Sequence, residues 1–507
     1  MIALDGSTLT LEALAQIARD GERVDIAPAA RDRVRQARAV VDAHAAAGRA
    51  VYGVNTGFGA LADVAIPADQ LDRLQLNLLR SHAAGVGEPL SVPVVRAVMT
   101  LRANVLAKGY SGIRIETLDA LVALLNGGVH PVVPSRGSVG ASGDLAPLAH
   151  IALVLVGEGE AEYQGARLPG ADALTRAGLR PVALGPKEGL ALINGTQASA
   201  AVLGLAVLDA ERLARAADIA AAMSVDALRG SFAAFEARIH AVRPVPGQTA
   251  SAANIARLGI GSTINRSHEN CGKVQDAYAL RCAPQVHGSA REAIGFARRL
   301  AEIEANAATD NPMVFATEGH AGDIVSGGNF HGAPIALAAD TLAIGLTQLA
   351  SISERRTDRL MTPHESGLPA FLVRDSGLNS GLMMAHVTAA ALTSEMKTLA
   401  HPAAADSIPT SAGREDHVSM SMWAAIKVAR AVDIATSVLA IEFLAACQGV
   451  DLLAPLTTSS ALAAVHAAIR RDVPMIESDR PPAPDIARIA ALITAGGIER
   501  ACPEKIS

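Results

Sequence analysis

Residues 195–223 read "GTQASAAVLGLAVLDAERLARAADIAAAM". Alanine and leucine dominate, no proline interrupts, and both residue types favour helix. The charges are few and spread over many turns, so this helix expects apolar neighbours on several sides. Three later stretches have the same character: 289–308, 334–356 and 425–449. In 334–356, Leu342, Leu346 and Leu349 recur at i, i+4 and i+7, one face of a helix. Together they predict a mainly α protein in which a long helical bundle occupies 201–507, with 1–200 as a separate N-terminal domain. Oligomerisation would account for burial on so many faces.

Bulk properties narrow the classes. The chain has 507 residues, 50% hydrophobic but only 3% aromatic, and a net charge of −6. The core is therefore built from Ala, Leu, Val and Ile, and no basic run marks a nucleic-acid partner. Cys271, Cys282, Cys447 and Cys502 are widely spread, which implies no disulfide framework and fits a reducing cytoplasm. The opening "MIALDGSTLTLEALAQIARDGERV" lacks a basic region followed by an apolar one, so no signal peptide is expected. Apolar runs such as 198–208 and 434–441 are too short to span a bilayer, and no membrane partner is expected.

The first 200 residues mix helix and strand. Thr10, Glu12 and Gly21 bracket a capped helix in "TLTLEALAQIARDG". "HPVVPSRGSVGASG" (130–143) is extended around Pro131 and Pro134. "DLAPLAHIALVLVGEGE" (144–160) then turns helical, with Asp144 as a cap and Pro147 in the first turn. "AEYQGARLP" (161–169) reads as strand, and "DRPPAPD" (479–485) as a rigid elbow.

Within the extended stretch, "GSVGASG" (137–143) carries no acid, base or thiol. Its backbone can itself react. If the amide nitrogen of Gly143 meets the carbonyl carbon of Ala141, a five-membered ring closes. Loss of water there, and of the Ser142 hydroxyl as a second water, leaves a methylidene-imidazolone. Glycine leaves its nitrogen unshielded and tolerates the dihedrals needed. A helix beginning at Asp144 would direct partial positive charge at the ring.

"SRGSVGASGDLAPLAH" (135–150) resembles the signature of the histidine and phenylalanine ammonia-lyase family, whose members form this group. The resemblance continues in family order through "VYGVNTGFG" (51–59), "SHAAGVGEPL" (81–90), "ALINGTQA" (191–198) and "KVQDAYALRCAPQVHG" (273–288). It goes on through "EANAATDNPMVF" (304–315), "SGGNFHG" (326–332), "SERR" (353–356), "GLNSGLM" (377–383) and "DSIPTSAGREDHVSM" (406–420). It implies a fumarase/aspartase-like helical bundle behind an N-terminal α/β-containing domain. It also implies a 4-methylidene-imidazol-5-one (MIO) made from Ala141, Ser142 and Gly143, no external cofactor, and a homotetramer with active sites shared among subunits.

In such a lyase the β-proton of an amino acid must be removed and ammonia must leave. The resemblance makes Tyr52 the candidate base, with Tyr278 its competitor. Arg281 resembles the arginine that clamps the substrate carboxylate, beside Gln275 and Tyr278 at spacings of three, one side of a helix. Asn194 matches an asparagine that donates towards the ring oxygen or the carboxylate, and Phe330 matches a residue lining the cofactor. Aromatic-specific relatives carry other residues in place of His82 and glutamine in place of Glu415. Both side chains can hydrogen-bond an imidazole, and a phenyl ring would leave them unpaired. The implied reaction is histidine to trans-urocanate and ammonia. Two departures stand out: Gly413-Arg414 where the family usually has Asn-Gln, and Ala333 where an acid is common.

Other readings remain at this stage: an ammonia-lyase or 2,3-aminomutase acting on phenylalanine, tyrosine or a modified histidine, or an inactive helical scaffold. Fumarase-like lyases are disfavoured because their "GSSxMPxKxN" loop is absent. Fourteen histidines raise a metal site, but no HExxH occurs and His268 with Cys271 lacks partners, so none is expected.

Overall fold

The computed structural model describes residues 1–47, 51–57, 64, 66–269, 271–272, 274–317 and 322–507. Phe58 and Gly59 of the 51–59 motif, Asn270 beside Cys271 and Lys273 lie outside the described residues.

The four long helices expected from composition are present at Gln197–Ala227, Ala283–Ala305, Ala333–Met361 and Ser421–Leu452. The protein is mainly α, and its sheets are small. The chain divides into two compact units. The first comprises 1–205, 297–340 and 402–426, and the second 206–296, 341–401 and 427–507. A cut at 200 was expected. Two later stretches thus pack with the N-terminal residues.

In the first unit, Ile2–Leu4 pairs in parallel with Val24–Ile26, and the helix Leu11–Arg19 connects them. Thr10 caps that helix by accepting from Ala13 N at 3.1 Å. Leu11, Leu14, Ile17 and Ala18 form its buried face. Residues 161–169 form an antiparallel hairpin, Glu160–Tyr163 with Ala166–Pro169, turned at Gln164 and Gly165, both at positive φ. Asn306 ties the 297–340 segment to the N-terminal part, accepting from Leu9 N and donating to Leu9 O, each at 2.9 Å.

Asp144 departs from expectation. It occupies the N-cap position of the helix Leu145–Leu155, but its side chain makes no capping bond there. Its fully buried carboxylate instead accepts from Ser138 Oγ at 2.7 Å and from Ser199 N and Oγ at 2.7 and 2.8 Å. It therefore caps the first turn of Gln197–Ala227. Burial raises its pKa, opposed by the bonds from Ser199 and Ser138.

The second unit is helical, and its interior is partly ionic. Arg356 and Glu442, both fully buried, form a two-pronged pair at 2.5 and 2.8 Å. Ser224 Oγ and Ser353 Oγ donate to the same carboxylate at 2.7 and 2.6 Å. The bonds stitch three long helices together, and the paired geometry offsets part of the cost of burying two charges. Residues 479–485 do not stay an elbow throughout: a helix starts at Ala483, and Asp485 holds Arg480 and Arg488.

The helix Ala333–Met361 contains a window long and apolar enough to cross a membrane, and 67% of that window is buried. All four cysteines are free. Among the described residues no group of three His, Cys, Asp or Glu could hold a metal.

Candidate active site

The loop 137–143 is shaped by glycines that tolerate no side chain. Gly143 has φ +72, and a Cβ there would lie 2.3 Å from Gly195 O. Gly143 and Gly195 form a parallel bridge, and Asp144 N donates to Gly195 O at 2.7 Å. Gly140, at φ +66, lies so close to Ser419 and Ser421 that a Cβ would sit 2.3 and 2.2 Å from their hydroxyls. Ser419 Oγ donates to Gly140 O at 2.9 Å, and Met420 N to Val139 O at 2.8 Å. The loop is thus clamped against two distant segments, and Ala141 and Gly143 are buried.

Ser142 is held at both ends. Its hydroxyl donates to Glu415 Oε1 at 2.6 Å, and its carbonyl accepts from Asn194 Nδ2 at 3.0 Å. Asn194 follows the helix Glu188–Ile193, and its buried Oδ1 has no partner. Behind it stands fully buried Arg102, donating to Asn194 O at 2.8 Å, to Gln197 Oε1 at 2.7 Å and to Ala191 O. Burial lowers the Arg102 pKa to about 10, with Asp310 acting against that.

Two adjoining cavities open on this loop. One, of about 380 Å³, is lined by Tyr52, Ser142, Asn194, Phe330, Arg414 and Glu415 among others. The other, of about 320 Å³, adds His82, Leu78, Leu145 and Leu190 and shares Tyr52, Ser142, Asn194 and Glu415. Every lining residue belongs to the first unit. His82 Nδ1 lies 2.8 Å from Leu78 O. A carbonyl only accepts, so Nδ1 carries the proton and Nε2 is left as an acceptor. Burial lowers the His82 pKa, opposed by the Leu78 bond and the Glu415 charge. The ring is therefore neutral at pH 7.

Gln275, Tyr278 and Arg281 belong to the second unit and line neither cavity. They also do not share a helix, because the helix begins only at Tyr278. The preceding residues are committed elsewhere: Asp276 Oδ2 accepts from Ser231 N at 2.6 Å, and Asp276 O accepts from Arg281 Nε at 3.0 Å. Tyr278 is 69% exposed. The Arg281 guanidinium lies 4.5 Å from its ring centre.

A family model described as aromatic amino acid lyase matches residues 9–471. A histidine ammonia-lyase of Anaeromyxobacter sp. (strain K) is 57% identical, covering 98% of this chain and 99% of the relative. The chain belongs to the aromatic amino acid lyase family. Among solved structures, the histidine ammonia-lyase of Trypanosoma cruzi is 44% identical with a TM-score of 0.92, covering 99% of this chain and 96% of that one. The tyrosine aminomutase of Streptomyces globisporus is 37% identical with a TM-score of 0.94, covering 100% of both chains. The protein is thus an enzyme of the carbon–nitrogen lyase class.

Sequence reasoning about this aromatic amino acid lyase missed two features. One is where the long helix read at 195–223 begins in space: Gln197–Ala227 starts beside the loop, across the Gly143–Gly195 bridge, so two helix N-termini converge there. The glycine in "NGT" was the available signal. The other is Thr410, whose hydroxyl donates to Glu415 Oε2 at 2.5 Å. Nothing local in the sequence marks that bond.

Proposed function

We propose that this lyase removes ammonia from L-histidine without oxidation, giving trans-urocanate, using an MIO group formed from Ala141, Ser142 and Gly143. One observation carries the substrate choice: the Glu415 carboxylate opens on the same cavity as His82, in contact with Ser142. The residues suit the group. Gly143 and Gly195 approach so closely that only hydrogen fits, and Asn194 offers Nδ2 to the Ser142 carbonyl while its Oδ1 stays unpartnered. Once formed, the group would supply an electron-poor methylidene to the substrate amine, making nitrogen a better leaving group.

The chain's own residues do the rest. Glu415 accepts the imidazole N–H, and the His82 ring lines the same cavity. A phenyl ring would leave the Glu415 carboxylate without a donor, which discriminates by on the order of 10²-fold or more. Tyr52, on the cavity wall next to Ser142, takes the β-proton. Phe330 and Leu190 exclude water. Gln275, Tyr278 and Arg281 complete the site from a neighbouring copy of the chain in a homotetramer, where the Arg281 fork holds the substrate carboxylate. The exposure of Tyr278 in the single chain supports that reading. We place the enzyme in the cytoplasm, where its free thiols stay reduced.

Ultraviolet absorbance after adding L-histidine, L-phenylalanine or L-tyrosine in turn tests the assignment. A conjugated product should accumulate with histidine alone. Product from phenylalanine or tyrosine, and none from histidine, would overturn it.

A further inference from the structure

The segment Thr410–Glu415 folds back on itself. Thr410 N donates to Glu415 O at 3.0 Å, Glu415 N to Thr410 O at 3.4 Å, and Gly413 N to Thr410 O at 3.0 Å. Three consecutive residues make the turn with positive φ: Ser411 at 52°, Ala412 at 54° and Gly413 at 81°. Two of these are not glycine, a conformation that costs energy and persists only where the surroundings fix it. Gly413 has open space around it, and glycine takes this backbone at least as well as the asparagine usual in the family. The departure at 413 therefore preserves the turn.

The turn delivers one side-chain contact. Thr410 Oγ1 donates to Glu415 Oε2, while Oε1 receives the Ser142 hydroxyl. The two carboxylate oxygens thus have different fates. Ring formation removes the Ser142 hydroxyl as water and vacates Oε1, whereas Thr410 keeps Oε2. We propose that Thr410 is a positioning residue: it fixes the Glu415 carboxylate so that Oε1, once released by Ser142, faces the cavity as the acceptor for the substrate imidazole.

This rests on the histidine reading above and extends it. Without the Thr410 hydroxyl, the carboxylate of Glu415 can rotate and bind solvent, and the loss appears in substrate affinity rather than in ring formation. The test compares Thr410→Val, which keeps the shape and removes the donor, with Thr410→Ser, which keeps the donor. Each is assayed for intact mass and for KM and kcat with L-histidine. The Val variant should keep a mass two waters below its sequence (about 36 Da) and raise KM about tenfold. The Ser variant should return KM to within about threefold of wild type. A wild-type KM in the Val variant overturns the proposal, and so does equal impairment in both variants, which signals a structural role only. A Val variant at full mass overturns it too, by placing Thr410 in ring formation. A wild-type enzyme that leaves histidine untouched defeats the histidine reading instead, a result distinct from any of these.

Discussion

Gly143→Ala puts one methyl group where the loop has no room. The added Cβ would lie 2.3 Å from Gly195 O, 2.4 Å from its C and 2.6 Å from its N, whereas carbon contacts settle at about 3.5–4 Å. These neighbours are backbone and cannot swing aside. Holding alanine at φ +72 costs about 1–2 kcal/mol. Pushing the strands apart also breaks the bond from Asp144 N to Gly195 O, worth about 0.5–1.5 kcal/mol. The sum, roughly 1.5–3.5 kcal/mol, is smaller than the 5–15 kcal/mol typical of a folded protein. The variant should therefore fold, with Ser142 displaced from Asn194 and the Gly143 nitrogen shielded. Circular dichroism should report wild-type helix content, intact mass the full unmodified chain, and the absorbance assay no turnover. A variant that folds, loses two waters and turns over histidine at the wild-type rate would show that the loop does not need glycine at 143.

Two further outcomes follow from buried charge. Arg356→Met leaves Glu442 buried with only Ser224 and Ser353 for partners. It should destabilise the protein by about 3–5 kcal/mol, read by denaturant unfolding; a loss under about 1 kcal/mol contradicts the ionic core described. His130 is the pH case: burial, then the charge of Arg96, lowers its pKa from 6.5 to about 4. The unfolded chain takes up this proton near 6.5 and the folded chain only near 4, so the penalty is absent above about 6.5 and grows as pH falls towards 4. Thermal unfolding between pH 7 and 4 should fall less steeply for His130→Gln than for wild type, and parallel slopes would contradict the shift.

The sequence made the long helices legible because their signal is compositional and extends over many turns. Gln197–Ala227 and Ser421–Leu452 bury alanine and leucine on several faces, and no tertiary contact was needed to see it. The loop 137–143 was legible too, because bare glycines between prolines and a helix start have few structural uses. What could not be read were contacts between distant stretches. Ser142 meets Glu415 across 273 positions, and Asp144 caps a helix 55 positions away rather than its own. The spacing of Gln275, Tyr278 and Arg281 suggested one helix face, but Asp276 is held by Ser231 and Arg281, and the helix starts after it. A side-chain period describes a helix only where the backbone is free to form one.

We infer that the chain makes its own electrophile from Ala141, Ser142 and Gly143. Proteolysis of the active enzyme and mass analysis of the peptide spanning 137–144 test it directly. Wild type should give a peptide two waters lighter than its sequence (about 36 Da), and Ser142→Ala the unmodified mass. An unmodified peptide from wild-type protein that turns over histidine would contradict it.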